Sequence, residues 1–196
     1  MNALIIVDMQ HDFLPGGSLA VAGGHELIPM INSLQERYEL VVATQDWHPP
    51  DHGSFASQHE GMRPFETTTL QGLPQVLWPD HCVQGSYGAQ FPETLHSKKM
   101  AAVFRKGMDR NIDSYSGFYD NGRRRRTGLT GFLMELNVRE VHVCGLAADY
   151  CVFFTAMDSL AEGFQTVILH EATKAIDEES MANKFDIFLQ KGGKLS

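Results

Sequence analysis

The chain has 196 residues, 43% hydrophobic and 20% charged, enough for a single globular domain with a substantial core and no need of disulfide staples. A formal net charge of −8 argues against nucleic acid as the main partner, and the four arginines Arg123 to Arg126 read as a solvated loop leading into a helix. Cys82, Cys144 and Cys151 are an odd number without framework spacing, which fits a reducing cytoplasm, and the first apolar run meets Asp8 too soon to be a signal peptide or membrane span.

Leu4 to Val7 is a continuous apolar run of strand length, the pattern of a central strand buried on both faces, and Asp8 ends it. A glycine-rich loop follows. Leu27, Ile28, Ile31, Leu34 and Tyr38 recur at helical spacing, and Leu40 to Thr44 predicts a second strand. Directly after it stand Asp46 and His48. Residues two apart in an extended chain project to one side, so this pair can face a common ion; a hydrogen-bonded loop pair is the plainer alternative. Asp51 to Gly85 shows little periodicity, and a loop-rich insert at about 49–90 is expected to be functional. His81 lies within it, placed to supply a third ligand from a distance.

Phe91 to Met100 is expected to hold a short helix and Ala101 to Phe104 a third strand, with Lys106 just beyond it, where a surface lysine is the ordinary reading. Thr130 to Leu136 predicts a helix stopped near Asn137. Glu140 to Cys144 predicts the fourth strand, followed by a sharp turn at Gly145. Asp149 is expected to cap a helix carrying Val152, Phe153, Ala156, Met157 and Leu160, which Gly163 stops. Thr166 to Leu169 is the fifth predicted strand. The last helix starts near Asp177, places Met181, Phe185, Phe188 and Leu189 on one face, and ends at Gly192 and Gly193.

Short apolar strands alternating with helical patterns predict an α/β fold, a doubly wound, mostly parallel sheet with helices on both faces. Ligands in such sheets bind beyond the carboxyl ends of the strands. Asp8, Asp46 with His48, Lys106 and Cys151 all follow the ends of different predicted strands. Cys151, at the start of its helix, is placed for the helix dipole and backbone N–H groups to favour thiolate over thiol; a small apolar residue packed under the sheet is the alternative. With Asp8 as proton acceptor and donor and Lys106 as a neighbouring positive charge, the cysteine would attack an amide and form a thioester.

Five blocks carry a resemblance: Val7 to Phe13, Gln45 to His48, Trp78 to Val83, Phe104 to Gly107 and Gly145 to Val152. Together, and in this order, they resemble the isochorismatase-like cysteine hydrolase family, in particular its nicotinamidase and pyrazinamidase branch, over nearly the whole chain. The resemblance implies a Rossmann-like three-layer fold, hydrolysis of nicotinamide or pyrazinamide, and a catalytic triad of Asp8, Lys106 and Cys151. It also implies one divalent metal on Asp46, His48 and His81, with Zn²⁺ first and Fe²⁺ or Mn²⁺ as alternatives, and His52 as a candidate fourth ligand ahead of His59 and Glu60. Further implied are an oxyanion site at Ala147 and Cys151, a cis peptide before Ala147, and substrate contacts from Phe13, Trp78, Tyr115, Leu146, Ala147 and Tyr150. Ala148 departs from the threonine of many relatives, removing one hydroxyl from the turn. A related amidase for another small carboxamide, or a noncatalytic metal- or metabolite-binding protein on the same fold, is the alternative; no membrane partner is implied, and a homo-oligomer is left open.

Overall fold

The computed structural model describes residues 1–196. Six strands form one parallel sheet: β1 (Asn2–Val7), β2 (Leu40–Asp46), β5 (Met100–Lys106), β6 (Glu140–Leu146), β7 (Gln165–Lys174) and β8 (Lys194–Leu195), in the order β5-β2-β1-β6-β7-β8. Helices α1 (Leu27–Gln35), α2 (Leu129–Glu135), α3 (Phe153–Ala161) and α4 (Glu178–Gln190) connect them. The central strand β1 is apolar without alternation because both of its faces are covered. Ile5 and Val7 enter a core shared with Leu129, Leu133, Val152 and Phe188, whereas Leu4 and Ile6 enter the opposite core with Leu27, Ile31 and Leu169. The strand order reverses at β1, so the crevice beyond the carboxyl ends of β1 and β6 is the natural binding place.

Several expectations need correction. Phe91 to Lys99 forms turns and irregular chain, and Met100 already opens β5. The Asn32 side chain of α1 donates to the Thr94 carbonyl and accepts from the His96 N–H, both at 2.8 Å, taking groups a local helix would have used. Gly145 makes no sharp turn but continues β6 with φ +107 beside a register shift against β7; a Cβ there would lie 2.1 Å from the Val7 carbonyl oxygen. Asp149 does not cap the helix behind it, because its carboxylate accepts from the N–H groups of Ile176 and Asp177 instead. Leu189 is 44% exposed, off the face that Phe185 and Phe188 bury. β8 was too short to signal itself.

The insert contains a hairpin, β3 (Thr67–Leu70) and β4 (Leu73–Val76), turning at Gln71 and Gly72, both at positive φ. Its far end returns to β2: His48 donates to the Cys82 carbonyl at 3.0 Å, and Gln84 donates to the His48 carbonyl at 2.8 Å. That pairing delivers His81 to His48 across 33 residues of chain.

Candidate active site

Four strand ends converge on one ammonium. Lys106, closing β5, lies 2.9 Å from Asp8 Oδ2 and 2.8 Å from Asp46 Oδ1, and donates at 2.9 Å to the Ser114 carbonyl and 3.4 Å to Cys151 Sγ. All five residues are buried. Asp8 stands just past β1 at φ +46, where its Oδ1 accepts from the Thr44 hydroxyl at 2.6 Å while its Oδ2 faces the Lys106 ammonium. A carboxylate oxygen of Asp8, one of Asp46 and the Cys151 sulfur lie within 4.8 Å of one another. Gln10 fixes the backbone of Asp46 with two hydrogen bonds of 2.8 Å, one to the carbonyl and one from the N–H.

Cys151 sits in a π-helical turn, Ala148–Val152, that precedes α3 and follows a cis peptide between Leu146 and Ala147. Cys151 is 7% exposed and lines a narrow cleft. Phe13, Trp78, Tyr115, Ala147 and Tyr150 line this cleft together with Asp46, His81 and Cys151. Leu146 does not line it, its side chain being fully buried in the core on the α1 side. Leu19, Asp113 and Ile176 line it as well, without any signal in the sequence that tied them to Cys151. Asp113 is fixed by Gln75 at 3.0 Å, and Gln75 also donates to the Tyr115 hydroxyl at 3.1 Å.

The expected bias toward thiolate is not what the site imposes. Burial pushes the Cys151 thiol up, the Lys106 ammonium opposes this, and the Asp8 and Asp46 carboxylates reinforce it. Burial also raises Asp8, against the pull of Lys106. For Asp46 burial acts upward too, but Lys106 and His48 overcome it and hold that carboxyl well below the usual range. Burial alone would lower Lys106, yet Asp46 and Asp8 lift it well above an ordinary lysine. Burial first, and one cation facing two carboxylates second, thus push the thiol up rather than down, and Asp8 is the carboxyl moved toward accepting a proton.

Beside the ammonium is a metal-type donor set. Asp46 Oδ2 lies 3.4 Å from His48 Nε2 and 3.6 Å from His81 Nε2. His48 Nδ1 meets the Gly107 carbonyl at 2.9 Å and His81 Nδ1 meets the Pro79 carbonyl at 2.8 Å. A carbonyl only accepts, so each Nδ1 carries a proton, and in the neutral ring each Nε2 presents a lone pair. His48 Nε2 is buried without a hydrogen bond, as a ligand atom would be. The residues fit a divalent ion with nitrogen and oxygen ligands. His52 differs: its Nδ1 accepts the Ser54 N–H at 3.2 Å, which puts the proton on Nε2 and leaves that buried atom a donor. It groups with His48 and Asp113 rather than with Asp46 and His81. His59 Nε2 donates to the Gly53 carbonyl at 2.8 Å, which occupies that nitrogen, and Glu60 is exposed.

The sequence matches the isochorismatase domain over residues 2–196. It is 49% identical to the nicotinamidase of Escherichia coli over 180 residues, 90% of this chain and 84% of that protein. A solved nicotinamidase and pyrazinamidase of Acinetobacter baumanii superposes with a TM-score of 0.96 at 44% identity, covering 99% of this chain and 94% of that one. The pyrazinamidase of Pyrococcus horikoshii, solved in complex with zinc, superposes at 0.82 with 34% identity, covering 100% and 98%. No helix is long and apolar enough to cross a membrane. The matched span, the identities and the shared sheet place the chain in the isochorismatase family.

Proposed function

We propose that this protein hydrolyses nicotinamide to nicotinate and ammonia, and deamidates pyrazinamide by the same route. The observation that carries the reading is the single ammonium of Lys106 touching Asp8, Asp46 and Cys151, the last two of which line an aromatic cleft. The names of the relatives in Escherichia coli and Acinetobacter baumanii support the substrate. The flat ring fits between Phe13, Trp78, Tyr115 and Tyr150, with the carboxamide toward Cys151.

As the sulfur bonds to the carboxamide carbon, Asp8 takes the thiol proton and the carbonyl electron pair moves onto oxygen. The N–H groups of Ala147 and Cys151 receive that oxyanion. On collapse the C–N bond breaks, and Asp8 gives its proton to the departing nitrogen as ammonia. Water then adds to the thioester carbon and loses a proton to Asp8; the C–S bond breaks, the proton returns to sulfur, and the acid released ionises to nicotinate. Lys106 stays charged throughout, offsetting the negative charge that Asp8 and the sulfur exchange.

Asp46 Oδ2, His48 Nε2 and His81 Nε2 would hold a divalent ion, read as Zn²⁺ with support from the zinc-bound relative, which when bound supplies a Lewis-acidic anchor for the ring nitrogen. The chain is read as one domain, 1–196, whose insert supplies Trp78 and His81. Three buried, unpaired cysteines support a cytoplasmic location. Ammonia release across a panel of pyridine and pyrazine carboxamides tests the function. Turnover of another amide with none of nicotinamide would replace the substrate; no turnover of any would favour a binding protein.

A further inference from the structure

The last helix supplies neither the triad nor the metal-type cluster, yet one of its side chains reaches the turn that carries the sulfur. Lys184 on α4 is partly buried, and its ammonium donates to the Asp149 carbonyl inside the Ala148–Val152 turn. It also lies 4.2 Å from the centre of the Tyr150 ring, with Phe154 at 5.6 Å and Phe153 at 5.9 Å. In the opposite direction, the Asp149 carboxylate accepts from Ile176 and Asp177 at 2.9 and 3.1 Å, immediately before α4. Turn and helix are therefore tied twice, once through a cation and once through an anion.

Tyr150 passes the restraint on to the cleft. Its ring packs edge-on against Trp78 at 4.9 Å and Tyr115 at 5.4 Å, the two other aromatic walls on that side. Burial lowers Lys184, a cost opposed by the neighbouring Asp149 carboxylate, Cys151 and Asp177. A lysine on an outer helix can turn its head to water. Here the head is turned inward, onto the residue two before the nucleophile and the ring of the residue one before it.

We propose that Lys184 is a positioning residue for the hydrolysis, holding the Asp149-Tyr150-Cys151 segment so that the sulfur keeps its place beside Lys106 and the Tyr150 ring keeps its place in the cleft wall. The inference rests on reading Cys151 as the nucleophile. Lys184 touches no reacting atom and acts through the geometry of those that do.

The test uses Lys184→Met, which keeps the aliphatic stem, and Lys184→Arg, which keeps a cation and its donors. In Lys184→Met, kcat for nicotinamide is expected to fall on the order of tenfold with KM moved less than about threefold, while the melting temperature stays within about 3 °C of wild type. Lys184→Arg restores most of kcat. The rate of Cys151 alkylation by iodoacetamide, followed by peptide mass, shifts in Lys184→Met and returns in Lys184→Arg. That second readout needs no substrate, so wild-type protein inert toward nicotinamide would end the substrate reading while alkylation still decided Lys184. Wild-type kcat and alkylation in Lys184→Met would overturn the proposal, as would a large drop in melting temperature with unchanged turnover per folded molecule.

Discussion

Lys106 is the residue at which stability and chemistry are hardest to separate. A fully buried ammonium between two buried carboxylates is tolerable only because each charge partly neutralises the others. Lys106→Met is expected to destabilise the fold by about 3–5 kcal/mol, because Asp8 and Asp46 are then left buried without their cation; denaturant titration reads this, and a loss below about 1 kcal/mol contradicts the charge balance described. Cys151→Ala removes a small side chain from a cleft wall and should leave melting unchanged while lowering ammonia release at least about a thousandfold. Retained turnover in that variant rules out the thioester. Lys106 and Cys151 were both readable as reactive types in the sequence, but the sign of the thiol shift was not. It depends on how many carboxylates share the ammonium, and Asp46, given to a metal through the family resemblance, turns out to face Lys106 as well as His81.

Among the elements, β6 carries the most constraint. Gly145 passes so close to Val7 that any Cβ collides with backbone on both strands' shared edge. Gly145→Ala is expected to cost about 3 kcal/mol or more, combining positive φ with overpacking, and should reduce folded yield as well as activity. A stable, active alanine variant would mean that the strands separate more easily than this register implies. Farther down β6, His142 accepts from the Tyr38 hydroxyl at 2.5 Å and meets Glu140 at 2.7 Å, tying the chain after α1 to the sheet. Burial, then Cys144, push Tyr38 up to about 12. A phenol raised in the folded state keeps its proton there while the unfolded chain loses it, so its stabilising contribution is complete below about pH 10 and declines toward pH 12. The stability advantage of wild type over Tyr38→Phe should shrink across that window; a constant difference contradicts the shift. Neither Gly145 as a bulge nor this pairing follows from periodicity, since both depend on which strand lies alongside.

For the molecule as a whole, the site is assembled from β1, β2, β5, the insert and the β6–α3 turn, so an ion on Asp46, His48 and His81 would link the insert to the sheet. Exhaustive chelation is expected to lower both kcat/KM and melting temperature, and re-addition of Zn²⁺ to restore them, since a ligand bound only by the folded state stabilises it. Full kcat/KM in metal-free protein would exclude the anchoring role. The alternation of apolar strands with helical patterns was sufficient for the doubly wound sheet, because covered parallel strands and amphipathic helices impose different periods on a sequence. Reactive residues at several predicted strand ends likewise pointed to one rim. What the sequence determined by itself is thus local: which segments are strands or helices, and which residue types stand at their ends. Tertiary structure alone decided by what route His81 reaches His48, that Asp113 lines the cleft, that Asp149 and Lys184 join the turn to α4, and that burial pushes the Cys151 thiol up. Those outcomes depend on distances between groups far apart in the chain and on the water excluded from between them, and neither quantity is written in the order of the residues.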